Sequence, residues 1–365
     1  MIKMVIADDS AFMRKLLSDL FTQQDDFMVI DTARNGKEAI EKIRELKPDL
    51  VTMDVNMPIM DGLEALEILM KECRIPVVMI SSLTKTGTDA TIKALSLGAV
   101  DFIEKVSGPI SSITKIQTEI LEKCRAAVTA NVRNYLQASS LRLKPPASAL
   151  KPPNPAYPKF PVDVNILKKG VNGLDGEKII AIGTSTGGPR ALQQVITKLP
   201  RDLPCGVVIV QHMPAGFTKS LAERLNSLSD VEVKEAEHND IIAPGKVYIA
   251  PGNYHMTVEV QGRSRVIALN QNPPLSSHRP AVDILFDSVA KLGNRVVSVI
   301  LTGMGSDGAK GMTKIKSAGG YIIAEDETTS VVYGMPKAVV ELGIADQVLP
   351  VDRIADVLVN VVKKQ

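Results

Sequence analysis

Several features are scarce in this sequence of 365 residues, and each scarcity excludes a class of protein. Cysteine occurs three times, at Cys73, Cys124 and Cys205, with no C-x-x-C pair, so neither a disulfide framework nor a zinc site is predicted. Lys and Arg number 43 against 41 Asp and Glu, a formal charge of +2 that falls far short of the clustered positive charge of duplex-binding proteins. We therefore expect a reduced, cytoplasmic protein with no nucleic acid partner.

Long apolar runs are also missing. No run approaches the roughly 20 residues that span a bilayer, and the chain reaches Asp8 and Asp9 before a signal-peptide core could form. We expect a soluble protein that does not insert into a membrane. Its 45% hydrophobic and 23% charged residues are close to the globular average, so the chain can form sizeable cores, and its length predicts about two domains.

A proline-rich stretch divides the chain. Seven of the 22 prolines fall between Pro145 and Pro161, and such a segment cannot continue a helix or a central strand, so we interpret it as a linker. Just before it, apolar residues at three- and four-residue steps predict a long helix; they are Ile113, Ile116, Ile120, Cys124, Val128, Val132 and Leu136. The predicted division is a domain over 1–125, a helical extension and linker over 126–174, and a second domain over 175–365.

Short apolar runs alternate with amphipathic helical patterns in both halves. The strands predicted for the first half are MVIAD, MVIDT, LVTMD, VVMIS and VDFIE. Those predicted for the second are KIIAIG, VVIVQ, VYIAP, VVSVILT and YIIAE, with HMTVEV and RVIALN forming a hairpin around Gln261-Gly262. The fold class is therefore α/β: two doubly wound domains with parallel sheets, the second carrying a β-hairpin, joined by the linker.

Charged residues follow the predicted strands of the first half. Asp8 and Asp9 follow the first strand, Asp54 ends the third, Ser81 ends the fourth and Lys105 follows the fifth. In a doubly wound sheet these positions meet at one edge, where three carboxylates repel each other unless a hard cation such as Mg²⁺ lies among them. A carboxylate there can also accept a phosphoryl group. The alternative is that the acids cap the following helices, but the lysine favours the functional interpretation.

The first half resembles the receiver domains of two-component response regulators, which have a flavodoxin-like fold. The matching segments cover residues 1 to about 125 and are ADDS at 7–10, MDVNMPIMDG at 53–62, MISS at 79–82 and GAVDFIEK at 98–105. A receiver implies phosphorylation by a histidine kinase.

The resemblance also implies roles for individual residues. Asp54 is implied as the phosphoacceptor, Lys105 and Ser81 as groups that contact the phosphoryl group, and Ser81 with Phe102 as the switch pair. The implied Mg²⁺ ligands are Asp8, Asp9, Asp54 and the carbonyl of Asn56. Val106 stands where receivers usually have a proline, a departure that bears on the backbone beside Lys105.

The second half contains a G-x-S-x-G motif, Gly183 to Gly187, between a predicted strand and a helix. A sharp turn there exposes the hydroxyl of Ser185, while backbone N–H groups at the helix start can receive an oxyanion. The motif alone is equally compatible with a glycine-rich phosphate loop, a dinucleotide loop or a plain tight turn.

All four histidines lie beyond Ser185. His212 alone directly follows a predicted buried strand, which makes it the candidate general base. His238 lies in a polar segment typical of a solvated loop. For His255 and His278 we expect hydrogen-bonded structural roles.

A carboxylate that orients the imidazole would complete a nucleophile, base and orienter set. Asp307 follows the predicted strand VVSVILT and is the candidate, although a turn or helix-capping role is the simpler assignment for it alone. The order Ser185, His212, Asp307 differs from that of α/β-hydrolases, so the motif does not establish their fold.

Residues 175–365 resemble the catalytic domain of the chemotaxis protein-glutamate methylesterases, which is Rossmann-like. The matching segments are GTSTGGP, QHMPAGFTKSLAERLN, APGKVYIAPGNYH, HRPAVDILFDSVA and LTGMGSDGAKGM. The resemblance implies hydrolysis of glutamyl methyl esters on chemoreceptor helices, often with deamidation of receptor glutamines, by a triad of Ser185, His212 and Asp307. It also implies an oxyanion site at the backbone of Thr186 and Met304.

The two resemblances together cover nearly the whole chain. They imply a monomer whose partners are methyl-accepting chemotaxis receptors and the chemotaxis histidine kinase, with no cofactor for ester hydrolysis. Two alternatives stay open: a non-enzymatic response regulator whose second domain binds another macromolecule, and a general acyl hydrolase acting on small metabolites. The first has no need of Ser, His and Asp at three strand ends, and the second has no need of a receiver.

Overall fold

The structure is a computed structural model that describes residues 1–82, 84–105, 113–130 and 178–363. Three sequence-based predictions fall wholly or partly outside these ranges. They are the linker from residue 131 onward, the continuation of the long helix to Leu136, and the backbone at Val106.

The first half forms one parallel sheet flanked by helices. Strands β1 to β5 are Ile2–Ala7, Phe27–Ala33, Leu50–Asp54, Val77–Ser81 and Asp101–Glu104. Helices α1 to α5 are Ala11–Thr22, Gly36–Leu46, Gly62–Glu72, Lys85–Leu97 and Ile113–Thr129. The strand order is β2-β1-β3-β4-β5, with every neighbouring pair parallel. The five strands predicted from apolar runs are confirmed.

The second half forms a larger parallel sheet. Its strands β6 to β9 and β12 to β14 are Ile179–Thr184, Gly206–Gln211, Glu232–Glu235, Lys246–Ile249, Val296–Ile300, Tyr321–Glu325 and Gln347–Leu349. Helices α6 to α11 are Gly188–Ile196, Phe217–Asn226, Val282–Ala290, Ala309–Ser317, Met335–Glu341 and Val351–Lys363. The order is β14-β13-β12-β6-β7-β9-β8. The predicted hairpin is confirmed as antiparallel β10, His255–Gln261, and β11, Ser264–Asn270.

The two edge strands of this sheet, β8 and β14, were not predicted from the sequence. Strand β8 has the sequence EVKE and β14 has QVL, and both are short and largely half-buried or exposed. Edge strands of natural sheets are often short and charged, which prevents pairing with other chains. Such strands carry no continuous apolar run, so the pattern that identifies buried strands does not detect them.

In each sheet the chain winds outward in two directions from a central pair of strands. The central pair is β1 and β3 in the first sheet and β6 and β12 in the second. Ligand sites of open α/β sheets lie at the carboxyl ends of the strands beside such a switch point. The residues that follow these strands are therefore the candidates for functional sites.

The two halves pack against each other. One hydrophobic cluster contains buried residues from both sheets. Helix α4 packs on α6 and α7, and the hydroxyl oxygens of Thr88 and Ser220 lie 3.0 Å apart across the boundary. The rings of Phe102 and Phe217 have centroids 4.4 Å apart. The β5 edge of the first domain is thus buried against the second domain.

Within the described ranges, we find no helix with the length and apolar character needed to cross a bilayer.

Candidate functional site

The first cluster lies beyond β1, β3 and β5. Lys105 Nζ is 2.9 Å from Asp8 Oδ2 and 2.7 Å from Asp54 Oδ2. The side chain of Asp8 is wholly buried, and Asp54 is 3% exposed. One lysine therefore faces two buried carboxylates, and a third carboxylate, from Asp9, lies at the exposed rim.

The helices after these strands use other residues as caps. Ser10 is the N-cap of α1, and its hydroxyl accepts from the backbone N–H of Met13. Asp61 caps α3 in a capping box with Glu64. Asp8, Asp9 and Asp54 are therefore not the helix caps, which removes the simplest structural explanation for these acids.

The acidic cluster has the donor set that a hard divalent cation requires. One carboxylate oxygen from each of Asp8, Asp9 and Asp54 can be chosen so that all lie within 4.8 Å of one another. Asp8 Oδ2 is buried, and the ammonium group of Lys105 that lies 2.9 Å from it is shared with Asp54. Burial raises the pKa of Asp54 above its ordinary value, against the hydrogen bond and charge of Lys105. Since Mg²⁺ prefers oxygen ligands, these residues fit such an ion.

The other residues assigned to the first cluster lie around it. The backbone N–H of Asn56 is 3.4 Å from Asp54 Oδ1. The buried hydroxyl of Ser81 donates to the carbonyl of Gly87 at 3.0 Å. Phe102 is 2% exposed and packs against the second domain. Ser81 is therefore engaged with the start of α4, and Phe102 with the domain interface.

The second cluster begins at Ser185, which follows β6 at the turn into α6. Its backbone N–H donates to the carbonyl of Thr302 at 3.0 Å. Gly187 has a φ of +79°. At Gly188 a Cβ would lie 2.0 Å from Oε1 of Gln211, so only glycine fits. The turn is thus held closely against the neighbouring strand ends.

His212 follows β7, and its Nε2 lies 2.8 Å from Oδ2 of Asp307. Both side chains are nearly buried, with exposures of 5% and 7%. Asp307 also accepts from the backbone N–H groups of Val282 and Asp283 at 2.7 and 2.9 Å. Burial raises the pKa of Asp307, but the bonds from His212 and these amides outweigh it and hold the pKa below its ordinary value. The carboxylate therefore both orients the imidazole and binds the start of α8.

The ring orientation of His212 assigns its two nitrogens different partners. A buried carboxylate accepts from Nε2, which makes Nε2 the protonated nitrogen of the neutral ring. Within the described part of the chain Nδ1 has no hydrogen-bond partner. The contact between His212 and Asp307 is thus formed, and Nδ1 is the ring nitrogen left to accept a hydrogen bond from a hydroxyl group. Such bonds often close only when substrate binds.

The remaining histidines occupy different environments. His278 stacks on His212 with ring centroids 4.0 Å apart and an interplanar angle of 13°; burial, followed by the charge of His212, lowers its pKa to about 4. The structural role expected for His278 did not anticipate this contact. His255 is wholly buried and bonds the backbone of Ala281 and Pro273. His238 is exposed and accepts from a backbone N–H.

Thr186 and Met304 flank Ser185 from two strand ends. Within the described ranges neither backbone N–H donates to a protein acceptor. Met304 is 36% exposed, whereas Thr186 is 5% exposed. The hydroxyl of Thr186 donates to Asp101 Oδ2 at 2.5 Å, so a receiver side chain touches the residue next to the nucleophile.

Two residues to which the sequence analysis assigned no role, Gln211 and Thr302, hold the cluster together. The side-chain amide of Gln211 donates to the carbonyls of Ser185 and His212 at 2.9 and 3.1 Å. Thr302 bonds the backbone on either side of Ser185. Both residues lie at strand ends, and that position was the signal available in the sequence.

Comparison with known proteins identifies the family of each domain. A family model described as CheB methylesterase matches residues 180–358, and one described as response regulator receiver domain matches residues 4–117. The crystal structure of the Thermotoga maritima CheB methylesterase catalytic domain superposes with a TM-score of 0.50 at 49% identity, covering 51% of this chain and 99% of that chain.

Curated relatives extend the similarity to full length. The protein-glutamate methylesterase/protein-glutamine glutaminase of Symbiobacterium thermophilum is 47% identical, over 99% of this chain and 97% of its own. The protein of the same name from Pyrococcus horikoshii is 44% identical, over 99% of this chain and 94% of its own. Both resemblances seen in the sequence are confirmed. The chain belongs to the protein-glutamate methylesterase/protein-glutamine glutaminase family and combines a response regulator receiver domain with a CheB methylesterase domain.

Proposed function

We propose that this chain is a phosphorylation-regulated serine hydrolase that demethylates glutamyl methyl esters on chemoreceptor cytoplasmic helices and deamidates receptor glutamines. The relatives carry the names of these two activities. The observation that carries the proposal is the 2.8 Å contact of His212 with Asp307 at the strand ends that also present Ser185. Only a nucleophile, its base and an orienting carboxylate explain all three residues at once.

Catalysis begins with proton transfer from the Ser185 hydroxyl to Nδ1 of His212 as the serine oxygen attacks the ester carbonyl. Asp307 stabilises the imidazolium through Nε2–H. The imidazolium then protonates the leaving methoxide, methanol departs, and the glutamyl acyl-enzyme remains. Water, deprotonated by the same nitrogen, releases glutamate and regenerates Ser185. With a glutamine substrate, ammonia is the first product.

The negative charge of the tetrahedral intermediate needs donors that are not already occupied. We assign this role to the backbone N–H groups of Thr186 and Met304, which lie on either side of Ser185 and have no protein acceptor within the described ranges. Preorganised donors of this kind are worth about 10² to 10³ in rate each. No cofactor is needed for ester hydrolysis.

Asp54 is the proposed phosphoacceptor of the receiver domain. Mg²⁺ would be held by Asp8, Asp9, Asp54 and the carbonyl of Asn56, and when bound it supplies positive charge next to the phosphoryl oxygens. Lys105 already contacts Asp54 at 2.7 Å and supplies a second positive charge. The chemotaxis histidine kinase is the proposed phosphodonor.

The receiver regulates the hydrolase through the domain interface. In the arrangement described here, Asp101 bonds Thr186, and Phe102 packs against Phe217. We propose that this contact restricts access of a receptor helix to Ser185. On phosphorylation, Ser81 exchanges its bond to Gly87 for one to the phosphoryl group, Phe102 moves, and the interface loosens.

The proposed setting is the cytoplasm, where a monomer meets methyl-accepting receptors. The test measures methanol release from methylated receptor membranes by the full chain, with and without a small phosphodonor and Mg²⁺, beside hydrolysis of a small ester. We expect release from receptor membranes that rises with the phosphodonor. Hydrolysis of the small ester without any release from receptor would instead support a general acyl hydrolase, and no hydrolysis of either would contradict the enzymatic proposal.

A further inference from the structure

Glu325 is a carboxyl group that the proposed mechanism does not use. It is the last residue of β13, the strand next to β12, and its side chain is completely buried. Its Oε2 accepts from the backbone N–H of Thr302 at 2.7 Å, and its Oε1 lies 3.0 Å from Oγ1 of Thr329. The contact with Thr302 links it to the active-site turn.

Thr302 binds the nucleophile turn from two directions. Its carbonyl accepts from the backbone N–H of Ser185 at 3.0 Å, and its hydroxyl donates to the carbonyl of Thr186 at 2.9 Å. The chain then continues directly to Met304. The position of one residue, Thr302, therefore sets the position of Ser185 and of both candidate oxyanion donors.

We propose that Glu325 is a positioning residue of the hydrolase site, which holds Thr302 and, through it, the Ser185 turn and the Met304 loop without contacting the substrate. This inference rests on the proposed function of Ser185. Its physical basis is that Thr302 has a buried N–H whose only acceptor in the described structure is Glu325, and loss of that acceptor leaves the donor unsatisfied.

The protonation state of Glu325 follows from its surroundings. Burial raises its pKa to about 8, assisted by the charge of Asp326 and opposed by the bonds from Thr302 and Thr329. Thr302, which follows β12, and Thr329, in the loop after β13, are neutral, so Asp326 is the charged group that acts on Glu325. The hydroxyl of Thr329 lies 3.0 Å from both Glu325 Oε1 and Asp326 Oδ1 and can donate to either, and the raised pKa of Glu325 favours its protonated form at neutral pH.

Ionisation of Glu325 places a negative charge on the group that binds the backbone N–H of Thr302, two residues before the candidate oxyanion donor Met304. Because like charges repel strongly at low dielectric, the tetrahedral intermediate becomes harder to form as the pH rises through about 8. A glutamine has the shape and hydrogen-bonding pattern of the protonated glutamic acid but cannot ionise. Glu325→Gln should therefore keep Thr302 in position while removing the negative charge that Glu325 gains on ionisation.

The experiment compares the full-length wild type, Glu325→Gln and Glu325→Leu, all activated with phosphodonor, between pH 6 and pH 9.5. Two readouts are taken: kcat and KM for methanol release from methylated receptor membranes, and the rate of covalent labelling of Ser185 by diisopropyl fluorophosphate. The control is Glu235→Gln, which alters a carboxylate that also accepts from a threonine hydroxyl, at 2.6 Å, but at the far strand β8. The control should match wild type.

We expect Glu325→Leu to lower kcat and the labelling rate by about 10- to 100-fold with KM within about threefold, since small misplacements of reacting groups cost this much. Glu325→Gln should match wild type at pH 7 and lose the decline above pH 8. Wild-type rates in the leucine variant, or a glutamine variant as impaired as the leucine variant, would overturn the proposal. If the leucine variant does not fold, an unchanged alkaline decline in Glu325→Gln overturns it. Normal labelling of wild type without methanol release would instead count against the proposed substrate.

Discussion

The two strand-end clusters of this chain balance charge in different ways. In the receiver domain two buried carboxylates, Asp8 and Asp54, share the ammonium group of one lysine, Lys105. In the hydrolase domain the carboxylate of Asp307 is satisfied by an imidazole and two backbone N–H groups. The first cluster carries three carboxylates against one lysine, whereas the single carboxylate of the second is hydrogen-bonded by three groups of its own domain.

That difference separates two kinds of chemistry built on the same topology. The first cluster keeps an excess of negative charge that a cation from outside the chain would offset, so it is suited to binding a hard divalent ion. In the second cluster the candidate nucleophile Ser185, the candidate base His212 and the orienting carboxylate of Asp307 all come from one domain, and the carboxylate is hydrogen-bonded within it. Parallel sheets position both clusters, but the side chains determine the chemistry: the first cluster is suited to binding a cation, and the second to transferring a proton.

The two domains touch where the β5 edge meets the start of α7. Asp101 bonds Thr186, and the neighbouring Phe102 packs on Phe217, so a single dipeptide of the receiver touches the hydrolase turn and its flanking helix. Movement of Phe102 would therefore disturb the hydrolase site directly. The following predictions test this division of roles.

The largest effect is expected for Ser185→Ala. Loss of the nucleophile should reduce methanol release by about 10⁶-fold, the scale seen when a serine hydrolase loses this residue. Phosphorylation of Asp54 from a small phosphodonor should continue at the wild-type rate, because every residue of the receiver cluster lies in the first domain, away from Ser185. Near-normal methanol release from the variant would rule out the serine mechanism.

Asp307→Asn should reduce methanol release by about 10⁴-fold, because the amide favours the wrong imidazole tautomer and cannot stabilise the charged ring. Thermal unfolding should accompany the assay, since Asp307 also binds the start of α8. Asp346→Asn is a matched control; Asp346 likewise accepts from a backbone N–H, that of Ile322 at 2.8 Å, at a distant strand. Wild-type activity in Asp307→Asn would show that Asp307 only stabilises the start of α8.

Release of the receiver should have an intermediate effect. Deleting residues 1–140 should raise basal methanol release from receptor membranes, by about 5- to 150-fold if the interface contributes a typical coupling of about 1 to 3 kcal/mol. Asp54→Asn should stay at the basal rate with phosphodonor and Mg²⁺, whereas Asp49→Asn, an acid at the opposite end of the same strand, should respond like wild type. An isolated second domain no more active than the unphosphorylated full chain would refute occlusion and leave recruitment or positive contacts as the means of activation.

The smallest effect is expected at Glu38, which lies in the receiver at the start of α2. A hydrogen bond from Lys42, followed by one from the backbone of Arg34, lowers the pKa of Glu38 from 4.5 to about 2. Its contribution to stability is therefore present above pH 4.5 and lost as the pH falls toward 2. Glu38→Gln should lower the free energy of unfolding at pH 7 by at most about 1 kcal/mol.

Urea unfolding at pH 7 and pH 3 measures this loss, which should be smaller at pH 3. Methanol release should not change. A change in activity would show that the receiver transmits local perturbations to the hydrolase more widely than the β5 contact implies.

The sequence by itself determined the two parallel sheets, the hairpin and the strand ends that present Asp8, Asp54, Ser185, His212 and Asp307. Buried parallel strands require continuous apolar runs, and the carboxyl ends of such strands converge, so these features follow from local pattern and one topological rule. The same reasoning missed β8 and β14 because edge strands do not need apolar runs.

The tertiary structure alone decided which groups touch. Nothing in the local pattern indicates that Nε2 of His212 faces Asp307, that His278 stacks on the same ring, that Glu325 holds Thr302, or that Asp101 reaches Thr186 from another domain. The partners in these contacts are separated by 23 to 95 positions in the chain. Whether such residues meet depends on the order of strands in the sheet and on the packing between domains, which no short segment encodes.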